Sequence, residues 1–233
     1  MTAAAVTCRA LQFAYGSGPK VLDIPTLDVA RGESVFLYGP SGSGKTTLLG
    51  VLAGVLRPSA GEVSVLGTDI AKLSAGARDA YRAEHIGYVF QMFNLIPYLS
   101  VRENITLPCK LNAARRARLG GQSLDDAARA MAAELQIEAY LDRPVTELSV
   151  GQQQRVAAAR SLIGHPELII ADEPTSALDT DRREAFLKLL FASCARANAT
   201  LVFVSHDLTL QPLFSRVLDL TVLNKATAHT AGV

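Results

Sequence analysis

The residues Gly39-Pro40-Ser41-Gly42-Ser43-Gly44-Lys45-Thr46 have the types and spacing to hold the phosphates of a nucleotide. In a G-x-x-x-x-G-K-[ST] stretch, successive backbone N–H groups wrap phosphate oxygens, the Lys45 ammonium falls on the β/γ oxygens, and the Thr46 hydroxyl is left as a Mg²⁺ ligand. A helix opening at Lys45, with Thr47 in its first turn, adds the positive end of its dipole to that anion site. A second pair, Asp172-Glu173, closes the apolar run Leu168-Ile169-Ile170-Ala171. Adjacent carboxylates in that position suit metal-dependent hydrolysis, with Asp172 holding Mg²⁺ through water and Glu173 polarising the attacking water as general base. Each motif alone also reads as a plain glycine turn or a strand-end turn. Paired, they point to one Mg²⁺–nucleotide site at the carboxyl ends of parallel strands.

The elements that must position these groups follow from pattern. Val6 to Tyr15 and Val21 to Val29 read as strands joined by Gly16-Ser17-Gly18-Pro19, a β-rich flap ahead of the strand Val35-Phe36-Leu37-Tyr38. A short strand is expected at Glu62 to Leu66, buried ones at Ile86 to Phe90, Leu168 to Ala171 and Thr200 to Val204, and a last one at Arg216 to Leu223. Helices are expected at Ser123 to Ala139, Val150 to Ile163 and Thr180 to Ala195. This alternation implies an α/β fold with a parallel sheet. Residues 92–148 interrupt it like an inserted helical subdomain, leaving 1–91 and 149–225 as the nucleotide-binding core and 226–233 as a frayed tail. Arg115, Arg116 and Arg118 form a small basic cluster near Lys110, read as solvated surface before an anion site.

Composition narrows the alternatives. With 23 Lys+Arg against 22 Asp+Glu the chain has a net charge of +1 and no basic field for nucleic acid. The three cysteines, Cys8, Cys109 and Cys194, are far apart, so neither a zinc site nor a disulfide framework is expected. Met1 to Val6 lacks the pattern of a secretory signal, and no apolar run approaches the ~20 residues of a membrane span, so any membrane role is expected to come through a partner.

Leu148-Ser149-Val150-Gly151-Gln152, running into Gln153-Gln154-Arg155, resembles the signature motif of the ATP-binding cassette (ABC) ATPases. Gln91 matches that family's Q-loop glutamine, Ser176-Ala177-Leu178-Asp179 its D-loop, and Ser205-His206-Asp207 its switch histidine; Tyr15 is similar in placement to the aromatic that stacks on adenine, with Phe13 competing for that role. The resemblance implies a P-loop NTPase fold: a RecA-like parallel-sheet core, an N-terminal antiparallel β flap and an inserted α-helical subdomain. It also implies ATP and Mg²⁺ as ligands and two ATP molecules sandwiched in a homodimer or between paired cassettes. Ser149, Gly151 and Gln152 would then face the γ-phosphate held by the other protomer, with Ser149 capping the helix. Gln91 would contact the metal or the lytic water, His206 would bond the γ-phosphate, and Asp179 would work across the dimer. One departure is Val150, where the family pattern has glycine; a β-branched residue there bears on hydrolysis rate more than on binding.

Tyr88 to Pro97, with Ser100-Val101-Arg102-Glu103-Asn104, further resembles the lipoprotein-releasing and macrolide-exporter (LolD/MacB-type) branch. That likeness implies an ATP-hydrolysing subunit on the cytoplasmic side of the cell membrane, powering export or extraction of a lipid, lipoprotein, peptide or drug. It would work through separate integral membrane permease subunits, and Phe93, Leu95 and Pro97 would meet the partner's coupling helix. Two alternatives stay open: an importer ATPase, because the D-loop also looks like that of amino-acid uptake cassettes, and a non-transport regulatory ATPase.

Overall fold

The computed structural model describes residues 4–176 and 178–226. The chain divides into two compact units, Met1–Arg82 with Thr200–Val233, and Ala83–Ala199. In the first, β1 (Ala4–Ala14) pairs antiparallel with β2 (Lys20–Ala30), in register from Val6↔Val29 to Phe13↔Leu22. On its other side β1 pairs with β4 (Ala60–Val65), which carries the short β5 (Thr68–Asp69). This is the expected β flap.

The same unit holds β3 (Ser34–Tyr38) between two parallel neighbours, β8 (Thr200–Val204) and β9 (Arg216–Asp219). Val35, Phe36 and Leu37 are all buried, as a parallel strand covered on both faces requires. Phe36, Phe203 and Phe214 form its aromatic centre, with ring centroids 5.1–6.3 Å apart. Each such ring contributes roughly 1.5–3 kcal/mol by leaving water. Helix α1 (Lys45–Leu52) follows β3 through the glycine loop. The expected strand Arg216 to Leu223 ends early, at Asp219, whose Oδ1 accepts from the Thr221 N–H and hydroxyl and turns the chain into α8 (Leu220–Leu223). Helix α2 (Ala75–His85) has no counterpart in the sequence reading, and none of its residues is buried.

The second unit builds on a parallel pair, β6 (Ile86–Val89) and β7 (Leu168–Asp172). Its helices are α3 (Val101–Leu111), α4 (Ala113–Ala117), α5 (Leu124–Glu134), α6 (Val150–Leu162) and α7 (Thr180–Arg196). Side-chain caps start all five: Ser100, Asn112, Ser123, Ser149 and Asp179. Helix α5 stops five residues short of the expected Ala139. Gln136 takes the left-handed conformation (φ 59°), Ile137 N–H bonds Ala132 O and Gln136 N–H bonds Ala133 O. That is a Schellman stop, made without glycine, which lets Ile137 bury its side chain.

Candidate nucleotide site

The phosphate loop leaves β3 at Tyr38 and enters α1 at Lys45. Gly44 is the helix N-cap at φ 97°, no side chain caps that end, and no acid lies in the first turn, so the opening N–H groups and the dipole face outward for an anion. A Cβ on Gly44 would sit 2.8 Å from Leu22 Cδ2 at a left-handed φ that favours glycine, and one on Gly39 would sit 2.7 Å from Ser43 Oγ, so Gly44 is required by conformation and space and Gly39 by space alone. Lys45 Nζ donates to Gly39 O at 2.7 Å and Pro40 O at 3.0 Å, which holds its ammonium across the loop. Ser43 Oγ is buried without a hydrogen-bond partner among the described residues. A donor so placed in a loop of backbone N–H groups fits a phosphate oxygen.

Two more predicted residues lie in the same unit. Leu37 and Val204 are register partners on β3 and β8, so Gly39 and His206 both emerge two residues beyond the last pair, at one end of one sheet. His206 is exposed, on a turn where Ser205 Oγ accepts from Asp207 N–H. Tyr15 follows β1, is 57% exposed, and shares a 3.2 Å hydrogen bond with Thr47 Oγ1 of α1. Phe13 is only 6% exposed and props the Tyr15 ring edge-on at 4.8 Å. Exposure beside the phosphate-loop helix favours Tyr15 over Phe13 as the platform for a base.

In the second unit the last register pair of β6 and β7 is Val89↔Ala171, so Gln91 and Glu173 emerge at the same end, each two residues on. Asp172 ends β7 half-buried and accepts a hydrogen bond from the Tyr88 hydroxyl; burial first, and Asp172 second, hold the Tyr88 pKa well above the ordinary phenol value. Tyr88 stacks on Phe90 at 4.2 Å, which fixes the ring and with it the carboxylate. Glu173 has φ 44° although it is not glycine and precedes Pro174, a residue that pushes its neighbour toward extended backbone. Strain of this kind costs about 1–3 kcal/mol and clusters at reactive sites. Gln91 and Asp172, in this unit, carry a carboxamide and a carboxylate, oxygen donors of the hard kind that Mg²⁺ takes.

The signature residues open α6 as expected. Ser149 Oγ accepts from Gln152 N–H, and the Gln152 side chain accepts from Ser149 N–H in return, a reciprocal capping box. Gly151 has room beside it, its nearest neighbour for a Cβ being Leu178 at 3.7 Å. Val150 is half exposed. Ser149, Gly151, Gln152 and Gln154 line a cavity of about 290 Å³, reached also by Arg155 and Arg182. Gln154 is fully buried, yet neither atom of its amide has a hydrogen-bond partner among the described residues. Asp179 caps α7 by accepting from Arg182 N–H at 2.9 Å, a structural role that the D-loop resemblance did not supply. Ala177 of that loop lies outside the described residues.

Three readings are corrected. Arg115 is not solvated: it is buried and donates to Ile163 O and Ser161 O at the end of α6 and to Ile86 O and Ala83 O at the entry to β6, at 2.5–3.3 Å. Burial brings its pKa down to about 10. Arg118 pairs with Glu84 and Glu167. Phe93 is turned inward, while Met92 and Tyr98 on either side are 81% and 83% exposed and take over the apolar surface expected of it. Sequence reasoning also missed Tyr88, Gln154 and Arg160, whose roles depend on partners distant in the chain.

Comparison with known proteins identifies the family. The ABC transporter family model matches residues 22–176. The chain is 41% identical over 213 residues to the uncharacterized ABC transporter ATP-binding protein YbbA of Escherichia coli K12, covering 90% of this chain and 91% of that one. It is 38% identical over 216 residues to the lipoprotein-releasing system ATP-binding protein LolD of Chromohalobacter salexigens, covering 91% and 89%. Among solved structures it resembles the ATP-binding cassette MJ0796, a dimer in a post-hydrolysis state bound to ADP and Pi, with a TM-score of 0.81, 32% identity and 95% coverage of both chains. The phosphate loop, the carboxylate pair and the signature helix thus sit on a P-loop NTPase fold, and the chain belongs to the ABC transporter family of ATP-hydrolysing cassettes.

Proposed function

We propose that this chain is the ATPase subunit of an exporter or extractor, working peripherally on the cytoplasmic side of a membrane through separate permease subunits. Two copies close on two ATP molecules, hydrolyse them and reopen. The likeness to LolD supports this branch, as do Met92 and Tyr98, exposed apolar residues on either side of Phe93 that suit a coupling helix. Residues 92–148 act as the helical subdomain.

Each residue's part follows from its chemistry. The backbone from Gly39 to Gly44 and Ser43 Oγ bind the phosphates, and Lys45 exchanges its two carbonyl acceptors for β/γ oxygens. Tyr15 stacks on the base. Bound Mg²⁺ neutralises charge on the β/γ-phosphates, and Thr46, Gln91 and Asp172 would hold it. Glu173 takes the proton of the attacking water, Gln91 orients that water, and His206 donates to the γ-phosphate. Ser149, Gly151 and Gln152 present the capped start of α6 to the nucleotide of a second protomer, a role supported by the cavity beside them and the buried Gln154 amide, which has no hydrogen-bond partner among the described residues. Asp179 acts across that interface.

The observation that carries the hydrolytic reading is the joint exit of Gln91 and the strained Glu173 from the β6–β7 pair. The test of the partner is capture from detergent-solubilised native membranes by Glu173→Gln protein closed with MgATP. A membrane subunit of few spans with a large extracytoplasmic domain supports the exporter reading. A six-helix permease would make this an importer ATPase, and soluble partners alone would point away from transport.

A further inference from the structure

Gln91 leads a turn whose backbone is held in an unusual state. Phe93 and Asn94 both take left-handed φ values, 58° and 48°, and neither is glycine. The turn's own bonds are Phe93 N–H to Phe90 O at 3.0 Å and Asn94 N–H to Met92 O at 2.6 Å. Further along, the buried Asn104 of α3 fixes Ile96, accepting from its N–H at 2.9 Å and donating to its O at 3.1 Å. A cavity of about 210 Å³ opens beside the turn, reached by Tyr88, Phe90, Asn94 and Arg160, so packing does not fix it on that side.

Across that gap one side chain reaches both strained residues. Arg160 of α6 donates from Nη2 to Phe93 O at 2.6 Å and from Nη1 to Asn94 O at 2.6 Å. A planar guanidinium can fork onto two consecutive carbonyls; a lysine ammonium is a point charge and cannot reproduce that geometry. The helix that carries Arg160 begins at the capped Ser149, so a single stiff rod holds the signature end and the grip on the Gln91 turn.

We propose that Arg160 is a positioning residue for Gln91: its fork holds the Phe93–Asn94 turn so that the Gln91 carboxamide is oriented for hydrolysis. The proposal rests on the reading of Gln91 as a ligand of the metal or the lytic water. Nucleotide affinity, set by the phosphate loop and Tyr15, is not expected to depend on it.

The test is a double-mutant cycle on the full chain with Gln91→Ala, Arg160→Ala and the pair together, and Arg160→Lys as the conservative variant. The readouts are kcat, KM and the affinity and stoichiometry of MgATP binding. Arg160→Ala should lower kcat by about tenfold or more, leave MgATP affinity within about twofold and keep one nucleotide bound per chain. In the Gln91→Ala background it should cost less than about twofold more, because both changes remove the same oriented group. Arg160→Lys should recover little of the lost kcat, and it carries the cycle if Arg160→Ala does not fold. A merely structural role predicts instead that kcat and binding stoichiometry fall together. Multiplicative losses in the pair, or wild-type kcat in Arg160→Ala, overturn the proposal. An unchanged kcat in Gln91→Ala alone overturns the underlying reading of Gln91, a result distinct from the other two.

Discussion

Replacing Asn224 with alanine should both destabilise the chain and loosen the phosphate loop. Asn224 is fully buried. Its Oδ1 accepts from Asp23 N–H at 2.8 Å and Ala226 N–H at 3.2 Å, and its Nδ2 donates to Val21 O at 2.8 Å and Ser43 O at 3.0 Å. One side chain therefore ties the β flap to the phosphate loop. Truncation takes the partner from four main-chain groups, on Asp23, Ala226, Val21 and Ser43, the last in a fully buried bond and the others part-buried, and an unpaired buried group costs about 1–3 kcal/mol. Allowing for relaxation, the loss is about 3–5 kcal/mol. At about 2–4 °C per kcal/mol for a chain of this size, Tm should fall by about 10 °C. MgATP should bind several-fold more weakly, because Ser43 O loses its tether. Asn224→Asp keeps the acceptor for Asp23 but turns a carboxylate on two carbonyls, so at neutral pH it should be no better than alanine. Thermal unfolding with and without MgATP measures both effects. A Tm within about 3 °C of wild type, with unchanged nucleotide affinity, would refute the reasoning.

Tyr15→Ala should weaken MgATP binding by ~1–3 kcal/mol through loss of base stacking, whereas Phe13→Leu should leave affinity nearly unchanged; the reverse pattern in equilibrium binding would move the platform to Phe13. Burial pushes the Cys8 and Cys194 thiols up to about 12. The unfolded chain loses those protons near the ordinary thiol pKa, so between roughly pH 9 and 12 it binds fewer protons than the folded one and stability falls as pH rises. Cys8→Ala with Cys194→Ala should flatten that alkaline limb, and in the native chain at pH 8 neither thiol should react with a maleimide until denaturant is added. Rapid labelling of either in the native state would contradict the burial argument.

How far the sequence could be read depended on the distance over which each feature is encoded. The phosphate loop, the buried strands around Phe36, Ile169 and Phe203, and the Ser149 cap are local patterns, and each lies within a residue or two of its expected place. Features set by contacts across the chain were illegible. Arg115 looked like one of several surface arginines because its acceptors are carbonyls of residues 83–86 and 161–163. Asn224 stands beside an uninformative tail, yet its partners are Val21, Asp23 and Ser43. Arg160 reads as one more charge on an amphipathic helix until the Phe93 and Asn94 carbonyls are brought to it. Helix α5 ended early because a glycine-free Schellman stop leaves no sequence mark.

The central claim, ATP-driven closure of two copies with Glu173 as general base, is tested most directly by Glu173→Gln. Light scattering during size exclusion, with and without MgATP, is paired with release of phosphate over time. The account predicts that turnover is lost, that MgATP still binds, and that a stable dimer forms only when it is present. A variant that stays monomeric and continues to release phosphate would contradict it.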